Sequence, residues 1–320
     1  MKKILKTAAL LLGITAFISC TDNKKLTIGS IIFDTSNEWF VEAIAGMQDA
    51  SKDLNTNLSV VDIHYDLNVE KESIREQLKK KAAAIVICPL TTEESGQALT
   101  EAAALGVPVV TWNTVVKPEP NAQIVVDAKK LGSATGDYLV EYVRKNNLKG
   151  LKAGLVVDRN YSIGIARCDG FRSSIKPLVE SGELEVVSEI TGELVEEVKV
   201  SVKKMLSERS DINFIWCWNQ MTLVATVDVL KELGRPDILV AGTDMSLALA
   251  KDMLQDEVNL IAVTTQQPYK LGYEAVATAA KLASGIKTEK GILIPTLTYT
   301  REDKAALEEY VRIHAKYVTK

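Results

Sequence analysis

The stretch AAAIVICPLTTEESGQALTEAAALGVPVVTWNT, residues 82–114, holds a strand, a helix and a second strand in succession. Its first apolar run, 83–88, is short, rich in Ile and Val, and apolar at consecutive positions, so a strand there is buried on both faces. Between 92 and 105 the apolar positions recur at helical spacing, and Gly106 follows as a stop. The run 107–112 is apolar again and ends in Trp112-Asn113-Thr114. Two doubly buried strands joined by a helix make a right-handed crossover between parallel neighbours.

The same rhythm extends in both directions. Apolar runs recur at 26–32, 58–64, 124–126, 152–157, 184–190, 212–217, 238–241 and 259–263, with helix-like segments such as 38–54 and 69–81 between them. The fold class is therefore α/β, with parallel sheets flanked by helices. About ten strands exceed what one compact doubly wound sheet of ordinary size accommodates, and 320 residues fit two domains better than one. Two sheets, and so two lobes, are predicted. Composition places the break near residues 116–121, where Lys117-Pro118-Glu119-Pro120 interrupts the rhythm.

The first twenty residues stand apart. Lys2, Lys3 and Lys6 precede a short apolar segment, 8–18, followed by Ser19 and Cys20. A permanent membrane helix needs about 20 apolar residues; this segment is shorter and reads as a removable export signal spanning residues 1–19. A cysteine directly after a small residue resembles a lipobox, although Phe17 stands where Leu is commonest. Cys20 is then the lipidated N-terminus, and residues 20–25 are a tether to the membrane. Loss of the three lysines moves the formal charge from −4 to about −7. No basic excess marks a nucleic-acid partner. The remaining cysteines, Cys88, Cys168 and Cys217, are odd in number and widely spaced, which argues against a disulfide framework or a zinc site.

In open α/β sheets, ligands bind beyond the carboxyl ends of the strands. Those ends are chemically distinctive here. They carry Asn37-Glu38-Trp39-Phe40, Trp112-Asn113-Thr114, Trp216-Cys217-Trp218-Asn219, Thr243-Asp244 and Gln266-Gln267. Aromatic faces beside amides and carboxylates suit a sugar-sized ligand, whose C–H faces stack on rings and whose hydroxyls each want a donor and an acceptor. The competing reading is that the tryptophans fill the core and Asn or Asp cap helices.

Several segments follow one another in a familiar order. They are Ser36-Asn37-Glu38-Trp39-Phe40, then Ala82-Ala83-Ala84-Ile85-Val86-Ile87-Cys88-Pro89, then Gly106-Val107-Pro108-Val109-Val110-Thr111. Ala166-Arg167 with Gly170-Phe171, Asn219, Leu239-Val240-Ala241-Gly242-Thr243-Asp244, and Gln266 before Pro268 complete the series. From residue 26 to about 300 the chain thus resembles the periplasmic sugar-binding proteins of the ribose-binding type, with the type I periplasmic-binding fold. The resemblance implies two Rossmann-like lobes joined by a three-segment hinge. The lobes would be 26–126 plus 267–292, and 127–266 plus 293–320, with crossings near Val126-Asp127, Gln266-Gln267 and residues 285–295. The tail from Arg301 is predicted to be an extra helix on the back of a lobe.

The resemblance also implies a site. Asn37, Trp39, Phe40, Asn113 and Thr114 would form one wall; Arg167, Asn219, Asp244 and Gln266 the other; Cys88, Trp112, Glu193 and Trp218 are further candidates. Thr114 stands where the ribose type usually has arginine, Asn113 where many have aspartate, Cys88 where asparagine is frequent, and Glu193 roughly where an aromatic often closes the cleft. A ligand other than ribose is expected: another monosaccharide, a deoxy sugar, a polyol or a small cyclic relative.

The function implied is an extracytoplasmic solute-binding lipoprotein that delivers a sugar-like ligand to an ABC transporter permease. The protein would be monomeric, exported to the periplasm or cell surface, and attached to the membrane only by its lipid. The alternative is a ligand-sensing component for a chemoreceptor or sensor kinase. No cofactor or metal is expected, and no enzyme: His64 and His314 are the only histidines, and no nucleotide-binding glycine motif follows a strand. A sugar-responsive repressor of this core fold would carry a helix-turn-helix in place of the export segment.

Overall fold

A computed structural model describes residues 25–192 and 194–318. Residues 1–19, Cys20 and Glu193 lie outside the described residues. The first lobe opens with β1 (Thr27–Ile32), α1 (Glu38–Asp53), β2 (Asn57–Asp62), α2 (Leu67–Lys79), β3 (Ala84–Ile87), α3 (Glu94–Ala104), β4 (Val109–Trp112) and β5 (Ala122–Val125). The second contains α4 (Ala128–Lys145), β6 (Leu151–Val157), α5 (Ser162–Glu180), β7 (Leu184–Thr191), α6 (Val195–Glu208) and β8 (Phe214–Cys217). It continues through α7 (Gln220–Leu233), β9 (Leu239–Thr243), α8 (Leu247–Met253) and β10 (Asn259–Thr265). The chain returns to the first lobe as α9 (Pro268–Ala283) and β11 (Gly291–Leu293), crosses once more to β12 (Leu297–Thr300), and ends in α10 (Lys304–Val318).

The described strands form two six-stranded sheets, ordered β11-β5-β4-β3-β1-β2 and β12-β10-β9-β8-β6-β7. All pairings are parallel except that of the edge strand β12 with β10. Strand alternation divides each core in two. Ile28 and Ile32 face a cluster with Met47, Leu271 and Val276, whereas Ile31 faces Ile74, Ile85 and Ile87 on the opposite side. In the second sheet Phe214 and Trp216 meet Phe171, and Ile215 and Cys217 meet Leu223 and Met245. Each fully buried aliphatic chain contributes about 1.5–3 kcal/mol, which is why the doubly apolar runs become central strands.

Close helix crossings seat the loops at the sheet edges. A Cβ on Gly46 of α1 would lie 1.9 Å from the Tyr269 carbonyl oxygen of α9, and one on Gly132 of α4 would lie 1.9 Å from the Arg167 carbonyl oxygen of α5. Only glycine permits either approach.

Three expectations need correction. Lys117-Pro118-Glu119-Pro120 does not separate the lobes, because β4 and β5 on either side of it pair in one sheet, Val110 with Ala122. It is a turn within the first lobe, and its Lys117-Pro118 bond is cis. Two more strands exist than the apolar runs indicated: β11 and β12 are short and hold no fully buried residue, so hydrophobic patterning does not announce them. Finally, α10 does not rest on one lobe. It packs on α8 and β12 of the second lobe and also on α1 of the first.

That second contact is polar and buried. The Tyr310 hydroxyl donates to Glu42 Oε2 at 3.1 Å, and His314 Nε2 lies 3.0 Å from Glu42 Oε1. Burial disfavours charge on His314, but the hydrogen bond and negative charge of Glu42 outweigh it, and its pKa is raised.

Candidate functional site

The carboxyl ends of both sheets face one another across a cleft of about 300 Å³. On the first lobe, Asn37 caps α1: its Oδ1 accepts from the Trp39 backbone N–H at 3.0 Å, which fixes Trp39 and Phe40 in the first turn. Trp39 lies flat on Trp112, centroids 5.7 Å apart and planes 11° apart, and meets Phe40 edge-on at 5.0 Å. Asn113 adopts φ +65°, and its neighbour Thr114 donates its N–H back to Trp112 at 2.8 Å.

The second wall is polar. Arg167 projects from α5 and is only 5% exposed, as is Asp244. Arg167 Nη1 donates to Asp244 Oδ2 at 2.6 Å and to the Trp218 carbonyl at 3.2 Å, while Gln266 Nε2 donates to Asp244 Oδ1 at 2.8 Å. The guanidinium carbon also sits 5.8 Å from the Trp218 ring centroid, within cation–π range. Asp244 is held at φ +67°, a conformation that costs a side-chain-bearing residue about 1–3 kcal/mol and that surrounding contacts must over-determine. Helix α8 takes its cap from Ser246, so helix capping does not account for Asp244. Asn219 does cap α7, in a capping box with Thr222, and lines the cleft as well. Its Oδ1 is engaged, leaving its amide N–H₂ as the donor available to a ligand.

Two buried N–H donors among the cleft residues lack a protein partner: Trp39 Nε1 on one wall and Arg167 Nε on the other. Unpaired buried donors are unusual in a native fold and are often satisfied by water or ligand. Between the walls, Glu38 Oε1 accepts the Leu247 backbone N–H at 2.6 Å, tying α1 directly to the start of α8. No group of side chains among the described residues is placed to hold a metal ion.

Of the residues singled out by sequence, the cleft brings together Asn37, Trp39, Phe40, Asn113, Arg167, Trp218, Asn219, Asp244 and Gln266. Thr114, Trp112 and Cys88 are not part of its lining. Thr114 hydrogen-bonds the buried Cys88 thiol instead. Trp112 is fully buried as the plate behind Trp39, and Cys88 is fully buried 3.8 Å from the Asn113 amide. Burial pushes the Cys88 thiol up to about 12, so it is neutral. Glu193 is outside the described residues.

Sequence reasoning missed Phe33, Tyr65, Ile163, Gln220 and Met221, which also line the cleft. The strand-end rule pointed to the first two: Phe33 directly follows β1 and Tyr65 stands three residues past the end of β2. Ile163 lies one helical turn before Arg167, and Gln220 and Met221 directly follow Asn219.

A family model described as a periplasmic binding protein domain matches residues 28–287. The chain is 24% identical over 308 residues to the ABC transporter periplasmic-binding protein YphF of Escherichia coli K12, covering 92% of this chain and 91% of that one. It is also 24% identical over 286 residues to the ribose import binding protein RbsB of Bacillus subtilis, covering 88% and 89%. Among solved structures, the binding component of the arabinose ABC transporter from Shewanella sp. ANA-3, bound to α- and β-L-arabinofuranose, superposes with a TM-score of 0.77 at 22% identity. That match covers 92% of this chain and 98% of the other.

Proposed function

This chain belongs to the periplasmic binding protein family, and from that premise we propose that it captures a monosaccharide or related polyol between its lobes for an ABC importer. The observation that carries the reading is the hydrogen-bonded chain Arg167–Asp244–Gln266 facing the Trp39 and Phe40 rings across one cleft. Small-molecule pockets run from about 300 to 1,000 Å³, so a cleft of about 300 Å³ suits a sugar-sized guest. Asp244 and the free amide hydrogens of Asn219 and Asn37 would meet hydroxyls, Arg167 would donate to ring or hydroxyl oxygens, and Trp39 would stack on a C–H face. The names of YphF and of RbsB support import over sensing as the role.

The protein is proposed to be exported and held at the membrane by lipid on Cys20. No helix among the described residues is long and apolar enough to cross a bilayer. Mass analysis of the mature N-terminus checks the anchor: an unmodified Cys20 rejects it. Glu38 bonded to α8 supports reading the present lobe arrangement as a closed one, with opening at the segments that join the sheets.

A thermal-shift panel of pentoses, hexoses, deoxy sugars, inositols, amino acids and oligopeptides tests the function. A ligand present at 100 times its Kd adds about 2.7 kcal/mol of stability, so at least one sugar or polyol is expected to raise Tm clearly. Response to amino acids or peptides alone rejects the proposal.

A further inference from the structure

Exposure changes sharply along the cleft. Arg167, Asp244 and Gln266 are 5–6% exposed at its floor, whereas Tyr65 is 56% and Met221 39% exposed at its rim. The chemistry changes with it: Phe33, Tyr65, Ile163 and Met221 present two rings and two aliphatic chains, with the Gln220 amide beside Met221. Phe33 and Tyr65 hold their ring centroids 5.4 Å apart, and Phe33 is equally close to Phe40, so the aromatic surface runs unbroken from floor to rim.

This apolar rim is built, not incidental. His64 and Tyr65 are consecutive non-glycine residues in the left-handed region, at φ +47° and +58°. Such a pair persists only where neighbours enforce it. Asp62 does so with both oxygens: Oδ1 accepts from the His64 N–H at 2.9 Å, and Oδ2 accepts from the Thr35 N–H at 2.8 Å and the Thr35 hydroxyl at 2.6 Å. The Tyr65 N–H donates to the Phe33 carbonyl at 3.2 Å. One carboxylate thus ties the loops after β1 and β2 together and sets the Tyr65 ring against Phe33. From the facing lobe, Ile163 shares a helix face with Arg167, four residues on, and Met221 stands in the first turn of α7. The same cleft thus runs from the polar floor to this rim.

We propose that the rim is a subsite for an apolar substituent, so that the ligand is a sugar or polyol carrying an alkyl, alkylthio or aryl group at the end remote from Asp244. The inference rests on the polyol reading of the floor and narrows it. Each buried methylene strengthens binding roughly fourfold, so a substituent of a few carbons dominates selection among ligands with the same polar head.

The test is calorimetry with D-ribose, L-arabinose, their n-butyl and phenyl furanosides, and the 5-O-butyl derivatives. At least one substituted compound is expected to bind tenfold or more tightly than its parent sugar. That ratio is expected to fall below about threefold in Tyr65→Asn, chosen because Asn tolerates positive φ, and in Met221→Ala on the other lobe. Parent sugars binding as well as every derivative overturn the subsite and leave the polyol reading intact, as does a ratio unchanged in both variants. Failure of every parent and derivative to bind, with no sugar or polyol of the thermal-shift panel raising Tm, overturns both.

Discussion

The two walls of the cleft come from the same architecture and are made differently. Each lobe is a mainly parallel sheet with a glycine-tight helix pair behind it, α1 with α9 and α4 with α5. On the first lobe the wall is a stack of rings, Trp112, Trp39, Phe40 and Phe33, whose positions follow from packing. On the second it is a network in which Arg167 and Gln266 hold Asp244 from both sides. A group already oriented loses little entropy on binding. Under the proposed function, the second lobe would supply discrimination and the first contact area.

Replacing Asp244 by Asn strikes the network and carries the largest expected effect. Charge-assisted hydrogen bonds are worth about 1.5–3 kcal/mol, so calorimetry is expected to show tenfold or greater loss of affinity. Leaving Arg167 buried without its anion is expected to cost about 3–5 kcal/mol in denaturant unfolding. Trp39→Ala removes stacking worth about 0.5–1.5 kcal/mol, a loss of roughly tenfold at most. Equal losses from the two substitutions break the division of labour.

The same methyl group added to each helix pair sharpens it. Gly46→Ala and Gly132→Ala each force a Cβ to 1.9 Å from a carbonyl oxygen of the facing helix, and overpacking of this kind costs about 1–3 kcal/mol. Only Gly132→Ala displaces the backbone of Arg167. It is expected to weaken ligand binding several-fold, while Gly46→Ala lowers stability and leaves affinity close to that of the parent.

The smallest effect concerns the tie between lobes. The pKa of His314 is raised above its ordinary value of 6.5 in the folded protein. Its protonated form therefore stabilises the structure fully below pH 6.5 and ceases to as pH rises through the raised value. Unfolding measured across that window is expected to show a fall in stability that Glu42→Gln abolishes. An identical pH profile in Glu42→Gln rejects the pairing as its source.

Most of the architecture was legible in the amino-acid order, because strands buried on both faces need unbroken apolar runs and helices do not. The floor of the cleft was legible for a related reason: Asp244, Asn219 and Gln266 directly follow such runs. What was hidden depends on backbone dihedrals and on long-range contacts. Nothing in the order of residues announces that His64, Tyr65 and Asn113 turn left-handed. Pro118 and Pro120 look the same in a turn between paired strands as in a linker between lobes. The contact of α10 with α1 joins residues 268 positions apart, which no local pattern encodes.

That last helix has a practical corollary. Because α10 touches both halves of the molecule, it is not an inert handle. A dye attached to α10 sits against both lobes, so under the proposed function its signal is expected to change when solute binds. A bulky fusion there loads the joint.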